Sequence, residues 1–319
     1  MAMASQNQVP IINLSRTSLH CVRGEQEWHN LCKRVREACE TFGCFEVVYD
    51  QISLQLRDET FEMVRQVFSL PSETKKKNFN PKPYHGYAGG YPVIPLYESL
   101  GIEDVTNYDS LRSFTELLWP HGHHQFNQTI SSTLKPVEEL CKIIQKMIID
   151  SYGLKEKLGL IMETKTLLRM MKYKAPPSGE YMDGLKAHTE KPMCTLLFED
   201  QVSGLEIETK DGHWIQLSPS TTNFFFFIVG DPLMAWSDGK LHAVKLRVMM
   251  KGDKDRYSFG AFAVPVEGTI IKPPKELDDG NHPQLLKEFD YMDFIIFSYS
   301  KGGMAIESAT QMFAFVGNN

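Results

Sequence analysis

Apolar residues recur at intervals of three and four through much of the first half of the chain. This spacing is that of one face of an α-helix. It predicts helices over residues 25–41, 54–69 and 134–152. A stretch rich in Pro, Gly and Tyr, residues 75–97, lies between the second and the third, and we expect it to form an ordered loop.

After Thr166 the pattern changes to short apolar runs that are separated by turn residues. Lys210-Asp-Gly212 and Ser237-Asp-Gly239 are typical of hairpin turns. Many short strands with this spacing indicate a β-sandwich or barrel. The predicted strands are residues 9–14, 44–49, 194–198, 205–208, 214–217, 223–229, 243–249 and 257–263.

We predict one globular unit made of two regions. A helical N-terminal region, residues 1–165, packs on a β core, residues 166–319, which is closed by a C-terminal helix near residues 282–287. The composition agrees with an ordinary globular protein, because 42% of the residues are hydrophobic and 23% are charged.

Charge and hydropathy exclude several classes of partner. The formal net charge of −6 disfavours non-specific binding to nucleic acid or to an anionic membrane. No apolar run reaches the roughly 18–20 residues of a membrane span. Residues 1–10 are polar and unlike a signal peptide, and the six cysteines form no CxxC pair. We therefore expect a cytoplasmic protein with reduced thiols, acting on a small molecule.

Two short motifs in the predicted β core carry chemistry. In His188-Thr-Glu190, an imidazole and a carboxylate two residues apart on a strand project to the same side. Non-haem Fe(II) oxygenases hold iron with two His and one carboxylate on one face of the metal. In Arg256-Tyr-Ser258, the same spacing places a guanidinium and a hydroxyl where both can bind one carboxylate.

With these motifs the chain resembles the plant 2-oxoglutarate (2OG)- and Fe(II)-dependent dioxygenases, in particular the glucosinolate alkenyl- and hydroxyalkyl-producing branch. The resemblance implies a mostly β fold with flanking helices, in which the core is a double-stranded β-helix, or jelly-roll. It also implies that Arg256 and Ser258 bind 2OG. The matching segments are residues 9–14, 43–46, 83–87, 113–120, 185–195, 202–206, 211–214, 230–231, 238–243, 247–250 and 256–258.

The chain departs from this family at two metal-binding positions. The family's first motif is His-x-Asp, where this chain has Glu190, and its second His stands ten residues before the Arg of Arg-x-Ser, where this chain has Leu246. A leucine side chain offers no lone pair to a metal. We therefore expect no metal at His188 and Glu190, doubt that Fe(II) binds, and expect no required cofactor, although Arg256 and Ser258 remain able to hold 2OG. His242 is expected to be structural.

The retained pocket and the altered metal positions together suggest an enzyme that no longer oxidises. His188 and Glu190 would form an acid–base pair for a non-oxidative step on a small plant metabolite: cyclisation, isomerisation, elimination or condensation. Two alternatives remain open: an inactive paralogue that binds a metabolite or a partner, and a weak Fe(II)/2OG oxygenase with an unusual metal site. The sequence also leaves open which face of residues 168–173 lines the pocket.

Overall fold

A computed structural model describes residues 9–16, 19, 24–154, 163–278, 280 and 283–318. The helices are α1 (Glu25–Thr41), α2 (Leu54–Ser69), α3 (Ser72–Lys75), α4 (Tyr108–Leu118), α5 (His124–Ser151), α6 (Asp231–Trp236), α7 (Tyr291–Ser298) and α8 (Gln311–Val316). The strands are β1 (Ile11–Asn13), β2 (Cys44–Val48), β3 (Ala88–Gly89), β4 (Tyr97–Ile102), β5 (Thr164–Tyr173), β6 (Met182–His188), β7 (Cys194–Glu199), β8 (Leu205–Glu208), β9 (Trp214–Gln216), β10 (Phe224–Val229), β11 (Leu246–Met250), β12 (Arg256–Pro265), β13 (Ile270–Ile271) and β14 (Phe289–Asp290).

Helices α1 and α2 have the predicted bounds, whereas α5 is longer than its apolar spacing indicated. It begins at His124, and the Nδ1 atom of His123 caps it by accepting from Phe126 N at 3.0 Å. Its first turns bury Phe126 and Ile130 in register with Leu134, but they also bury polar residues such as Asn127 and Thr133, which weaken the apolar period. Helix α4 was not predicted.

The core strands form two sheets, in agreement with the jelly-roll that the resemblance implies. In the described part of the chain, the large sheet has the order β1-β2-β10-β7-β12-β5-β4-β3 and the small sheet has the order β6-β11-β8-β9. Strands β1 to β4 come from the N-terminal region, so that region contributes part of the large sheet as well as the helices.

One face of the large sheet is apolar and packs against the helices. The ring of Phe61 on α2 lies 5.6 Å from the rings of both Phe198 and Phe259, measured between centroids. The opposite face, here called the inner face, carries buried charged and polar groups among apolar ones. Its residues pair across the strands in three rows: Tyr97, Tyr173 and Arg256; Ser99, Met171, Ser258 and Glu199; Gly101, Arg169, Gly260 and Leu197.

The small sheet turns an apolar face inward and a charged face outward. Leu246, Ile207 and Val248 are buried, whereas Arg247 on the outer face pairs with Glu206 at 2.8 Å. Alternation of this kind is expected of a sheet with one buried face. The inner face of the large sheet therefore supplies the buried Arg and Glu side chains of the interior, whereas the small sheet supplies His188 at the end of β6.

The predicted C-terminal helix is wrong in position. His282 lies outside the described residues, and residues 283–287 form no helix, with Leu286 bridging to Gly317. Pro283 lacks a backbone N–H group, which disfavours a helix interior. The C-terminal helices are instead α7 and α8. No helix in the described ranges is long and apolar enough to cross a bilayer.

Candidate functional site

His188 and Leu246 face each other across two neighbouring strands of the small sheet. His188 is the last residue of β6 and Leu246 the first of β11, and their Cα atoms are direct partners in the antiparallel register. Paired residues project to the same face of a sheet. Leu246 is 3% exposed. The imidazole of His188 therefore has a buried aliphatic neighbour at the position where the family has its second metal-binding His.

The ring of His188 is held in one orientation by the backbone. Its Nδ1 atom lies 2.8 Å from the carbonyl oxygen of Lys186. A carbonyl only accepts, so Nδ1–H is the donor and the neutral ring keeps its lone pair on Nε2. Burial lowers the pKa of His188 to about 4, which keeps the ring neutral near pH 7.

Glu190 lies just beyond the end of β6 and is buried, with 7% of its surface exposed. Burial raises the pKa of Glu190 to about 7, and it outweighs the lowering effects of the Thr195 hydroxyl and of the charge on Lys191. The pKa of His188 is thus lowered and the pKa of Glu190 is raised. Near neutral pH the imidazole is uncharged and the carboxyl group is part-protonated.

The residues that flank Glu190 anchor the motif. The ammonium of Lys191 donates to Asp231 Oδ2 at 2.7 Å and to Ser308 Oγ at 2.9 Å. Thr189 Oγ1 donates to the same Asp231 oxygen at 3.0 Å, and Asp231 N donates to the carbonyl of Glu190 at 2.8 Å. This buried network fixes the backbone on both sides of Glu190.

Gly230 is required for the same anchor. A Cβ atom on Gly230 would lie 1.7 Å from the carbonyl oxygen of Pro192. A side chain therefore cannot be accommodated without moving the backbone that follows Glu190. This contact explains why a glycine precedes Asp231 at the start of α6.

Arg256 and Ser258 lie together on the inner face, as their spacing predicted. Arg256 Nη1 donates to Ser258 Oγ at 3.1 Å, and Arg256 Nη2 donates to Glu199 Oε2 at 2.7 Å. All three residues are fully buried, and the guanidinium lies 5.0 Å from the centroid of the Tyr173 ring. The carboxylate of Glu199, on β7, was not foreseen from the sequence.

Arg169 is a second buried guanidinium on the inner face. The face of β5 that lines the interior is therefore the one with Arg169, Met171 and Tyr173. Arg169 Nη1 donates to the carbonyl oxygens of Tyr84 and Gly86, and its Nη2 atom donates to Ser99 Oγ. Its charge lies 4.1 Å from the centroid of the Tyr84 ring. Tyr84 has a φ of 71°, a left-handed conformation that non-glycine residues seldom adopt and that is often found at functional sites.

His242 lies away from this cluster. It precedes β11 instead of lying on it, and its backbone N–H donates to the carbonyl of Cys39 at 3.0 Å. The strand that was predicted over residues 243–249 therefore begins at Leu246, three residues later than predicted. Lys245 also lies outside the strand and pairs with Glu208 at 2.5 Å.

Comparison with known proteins gives matches along most of the chain. Residues 9–94 match the family described as "non-haem dioxygenase in morphine synthesis N-terminal", and residues 165–265 match the "2OG-Fe(II) oxygenase superfamily". The Arabidopsis thaliana protein "Probable 2-oxoglutarate-dependent dioxygenase AOP1.2" is 38% identical over 314 residues, with 96% of each chain covered.

Solved structures agree with the fold. AtDAO1, the dioxygenase for auxin oxidation 1 of Arabidopsis thaliana, in its binary complex with 2-oxoglutarate, is 28% identical with a TM-score of 0.77, and the alignment covers 86% of this chain and 100% of that one. JOX2 in complex with 2OG, Fe and JA is 23% identical with a TM-score of 0.79, and the alignment covers 98% of this chain and 90% of that one.

The expectation that no cofactor is required, with Fe(II) doubtful, is wrong. The family that matches residues 165–265 is named for 2OG and Fe(II), and AtDAO1, at 28% identity, is bound to 2-oxoglutarate. The physical reason is that one absent side chain does not empty a metal's coordination shell. Water and co-substrate oxygens can occupy positions that the protein does not fill.

The residues of this chain fit the two cofactors unequally. For 2OG, the Arg256–Ser258 pair is of the type that binds a carboxylate. For iron, His188 offers an open Nε2 lone pair and Glu190 a carboxylate, but Leu246 offers no donor atom. Among the residues that the structure describes, no group of three or more His, Cys, Asp or Glu side chains could hold a metal ion.

Proposed function

We propose that this chain, which belongs to the 2OG-Fe(II) oxygenase family of plant dioxygenases, catalyses proton transfer on a small organic metabolite. The step is a cyclisation, isomerisation, elimination or condensation in plant specialised metabolism. His188 and Glu190 move the proton, and Arg256 and Ser258 bind a carboxylate, either of 2OG or of the substrate.

The observation that carries this proposal is the direct pairing of His188 with Leu246. The pairing gives His188 a neighbour that can neither share a metal ion nor protonate the ring. The Nε2 lone pair of the neutral ring is then available to accept a proton from a bound molecule.

The opposite shifts of the two pKa values support a division of roles. The pKa of His188 is lowered to about 4, so the ring is neutral at physiological pH and holds an accepted proton only transiently. The pKa of Glu190 is raised to about 7, so its protonated form is a donor that is still well populated there. Two neighbouring groups with displaced pKa values are typical of acid–base sites.

Oxidation with Fe(II) and 2OG is the second candidate function. The solved structures bound to 2OG and Fe favour it, since this chain shares their fold. When bound, the two cofactors supply oxidation by dioxygen. Both cofactors therefore belong in every assay, and the two candidates differ in which bonds of the substrate change.

The experiment is a search for the substrate in a plant leaf extract. Protein is incubated in the extract with Fe(II), 2OG and air, and metabolites are followed by mass spectrometry. We expect one metabolite to be replaced by an isomer, by a product that has lost a small molecule, or by a condensation product. A product that has gained oxygen or lost two hydrogens would contradict the proposal.

The titration of Glu190 can be measured without a substrate. The infrared C=O band of a protonated carboxylic acid should be present at pH 5 and should disappear as the pH rises through about 7, because burial raises the pKa of Glu190. Glu190→Gln should lack this component, whereas Glu206→Gln should retain it. A wild-type spectrum without such a component would contradict the assigned role of proton donor.

A further inference from the structure

The guanidinium of Arg256 already holds a carboxylate that the chain itself provides. Arg256 Nη2 and Glu199 Oε2 are 2.7 Å apart, and neither side chain is exposed to solvent. The register explains the contact, because Glu199 on β7 is the direct partner of Ser258 on β12. Ser258 and Glu199 thus flank the guanidinium from two adjacent strands.

This internal carboxylate uses the same chemistry as the ligand proposed for the Arg256–Ser258 pair. A dicarboxylate such as 2OG would bind by accepting from Arg256 and from the hydroxyl of Ser258. Glu199 accepts a hydrogen bond from the guanidinium of Arg256, and strand β7 holds it next to that guanidinium. A free ligand must therefore compete with a group of the protein at high effective concentration.

The pair between Arg256 and Glu199 is not saturated. In the described part of the chain, Glu199 Oε1 and Arg256 Nε are buried and have no hydrogen-bond partner. Buried polar atoms without partners are costly, and they are uncommon in native proteins. A ligand that supplies hydrogen-bond partners to the guanidinium would therefore recover part of this cost when it displaces the carboxylate of Glu199.

From these contacts we propose that Glu199 is a specificity-determining residue that occupies the carboxylate position of Arg256 and weakens the binding of 2OG and other dicarboxylates. The inference rests on the proposed role of Arg256 and Ser258 in carboxylate binding. Glu199 acts by competition, so a dicarboxylate binds only when Glu199 gives up its contact with Nη2.

The test is the affinity for 2OG, measured by calorimetry with 2OG alone and with 2OG plus Fe(II) under argon. Glu199→Gln keeps the shape and removes the charge, and it should tighten 2OG binding about 10–100-fold, as expected when a charged hydrogen bond no longer has to be broken. Glu206→Gln is the matched control. It removes a carboxylate that is paired with Arg247 on the outer face, and it should leave the affinity unchanged.

Two further variants keep the test decisive. Glu199→Asp retracts the carboxylate by one methylene and should also tighten 2OG binding. It keeps the test usable if the Glu199→Gln variant does not fold. The double variant Arg256→Met with Glu199→Gln removes both charges together, so no buried charge is left unpaired. It should lose the 2OG affinity that Glu199→Gln gained.

The outcomes separate this inference from the proposed function. Tighter binding in Glu199→Gln that is lost in the double variant supports both. Unchanged binding in Glu199→Gln and Glu199→Asp, with loss in the double variant, overturns the competition but keeps the carboxylate role of Arg256. Binding that survives in the double variant overturns that role and the competition with it.

Discussion

His188→Ala should lower kcat/KM for the metabolite consumed from leaf extract by about 10²–10⁴-fold, the usual contribution of a general acid–base group. The ring is half-buried, and the hydrogen bond from its Nδ1 atom goes to the neighbouring carbonyl of Lys186. The free energy of unfolding should therefore change by only about 1 kcal/mol. Loss of activity without comparable loss of stability is the expected signature.

The matched control for this variant is His242→Ala. His242 is also half-buried, and burial lowers its pKa too, but it lies before β11. Its replacement should leave kcat/KM unchanged. Glu190→Gln should fall in the same range as His188→Ala, because an amide cannot donate the proton that a carboxyl group of pKa about 7 supplies. Unchanged turnover in both His188→Ala and Glu190→Gln would contradict the acid–base role.

Leu246→His should tighten Fe(II) binding by more than about 100-fold, because even residues that only orient metal ligands contribute about 10–100-fold. The substitution puts an imidazole directly opposite His188 in the register, on the same face. Addition of Glu190→Asp should tighten binding further by giving the carboxylate the length found in the family motif. Affinity is measured by anaerobic calorimetry with Fe(II).

Val248→His is the matched control for Leu246→His. It adds an imidazole to the same strand and the same face, but opposite Leu185 instead of His188. It carries a similar burial cost, because Val248 and Leu246 are both 3% exposed, and it should not tighten Fe(II) binding. Equal Fe(II) affinity in the wild-type protein and in Leu246→His would show that position 246 does not limit metal binding.

Several element bounds could be predicted from the sequence, because their signals are local, whereas the jelly-roll was implied by the resemblance to the dioxygenase family. The apolar spacing of α1 and α2 runs the full length of each helix, and both have the predicted bounds. Helix α5 was predicted too short, because its first turns bury polar residues such as Thr133. Phe126 and Ile130 continue the apolar spacing of Leu134, but the buried polar residues between them weaken the hydrophobic period.

The site was only partly predictable, for a related reason. A spacing of two residues on a strand identified Arg256 and Ser258 as neighbours on one face. The contact with Glu199 depends on the register between β7 and β12, which is a long-range property. The inward direction of Arg169 likewise follows from its pairing with Gly101 and Gly260, and not from the residues around it.

The pKa values of His188 and Glu190 could not be obtained from the motif alone. Both shifts come first from burial, and burial is decided by the packing of distant segments. Ser308, near the C-terminus, takes part in the network that holds the backbone beside Glu190. The motif shows that an imidazole and a carboxyl group are present. Their protonation states depend on how deeply the fold buries each of them.

The most direct test of the proton-transfer proposal is the yield of succinate per molecule of product. Wild-type protein is incubated with the consumed metabolite, Fe(II), air and ¹³C-labelled 2OG, and labelled succinate is counted by mass spectrometry against product. Proton transfer predicts product formation with no labelled succinate above the level in the His188→Ala reaction. One labelled succinate for each product molecule would show that the chain oxidises its substrate, and would contradict the account.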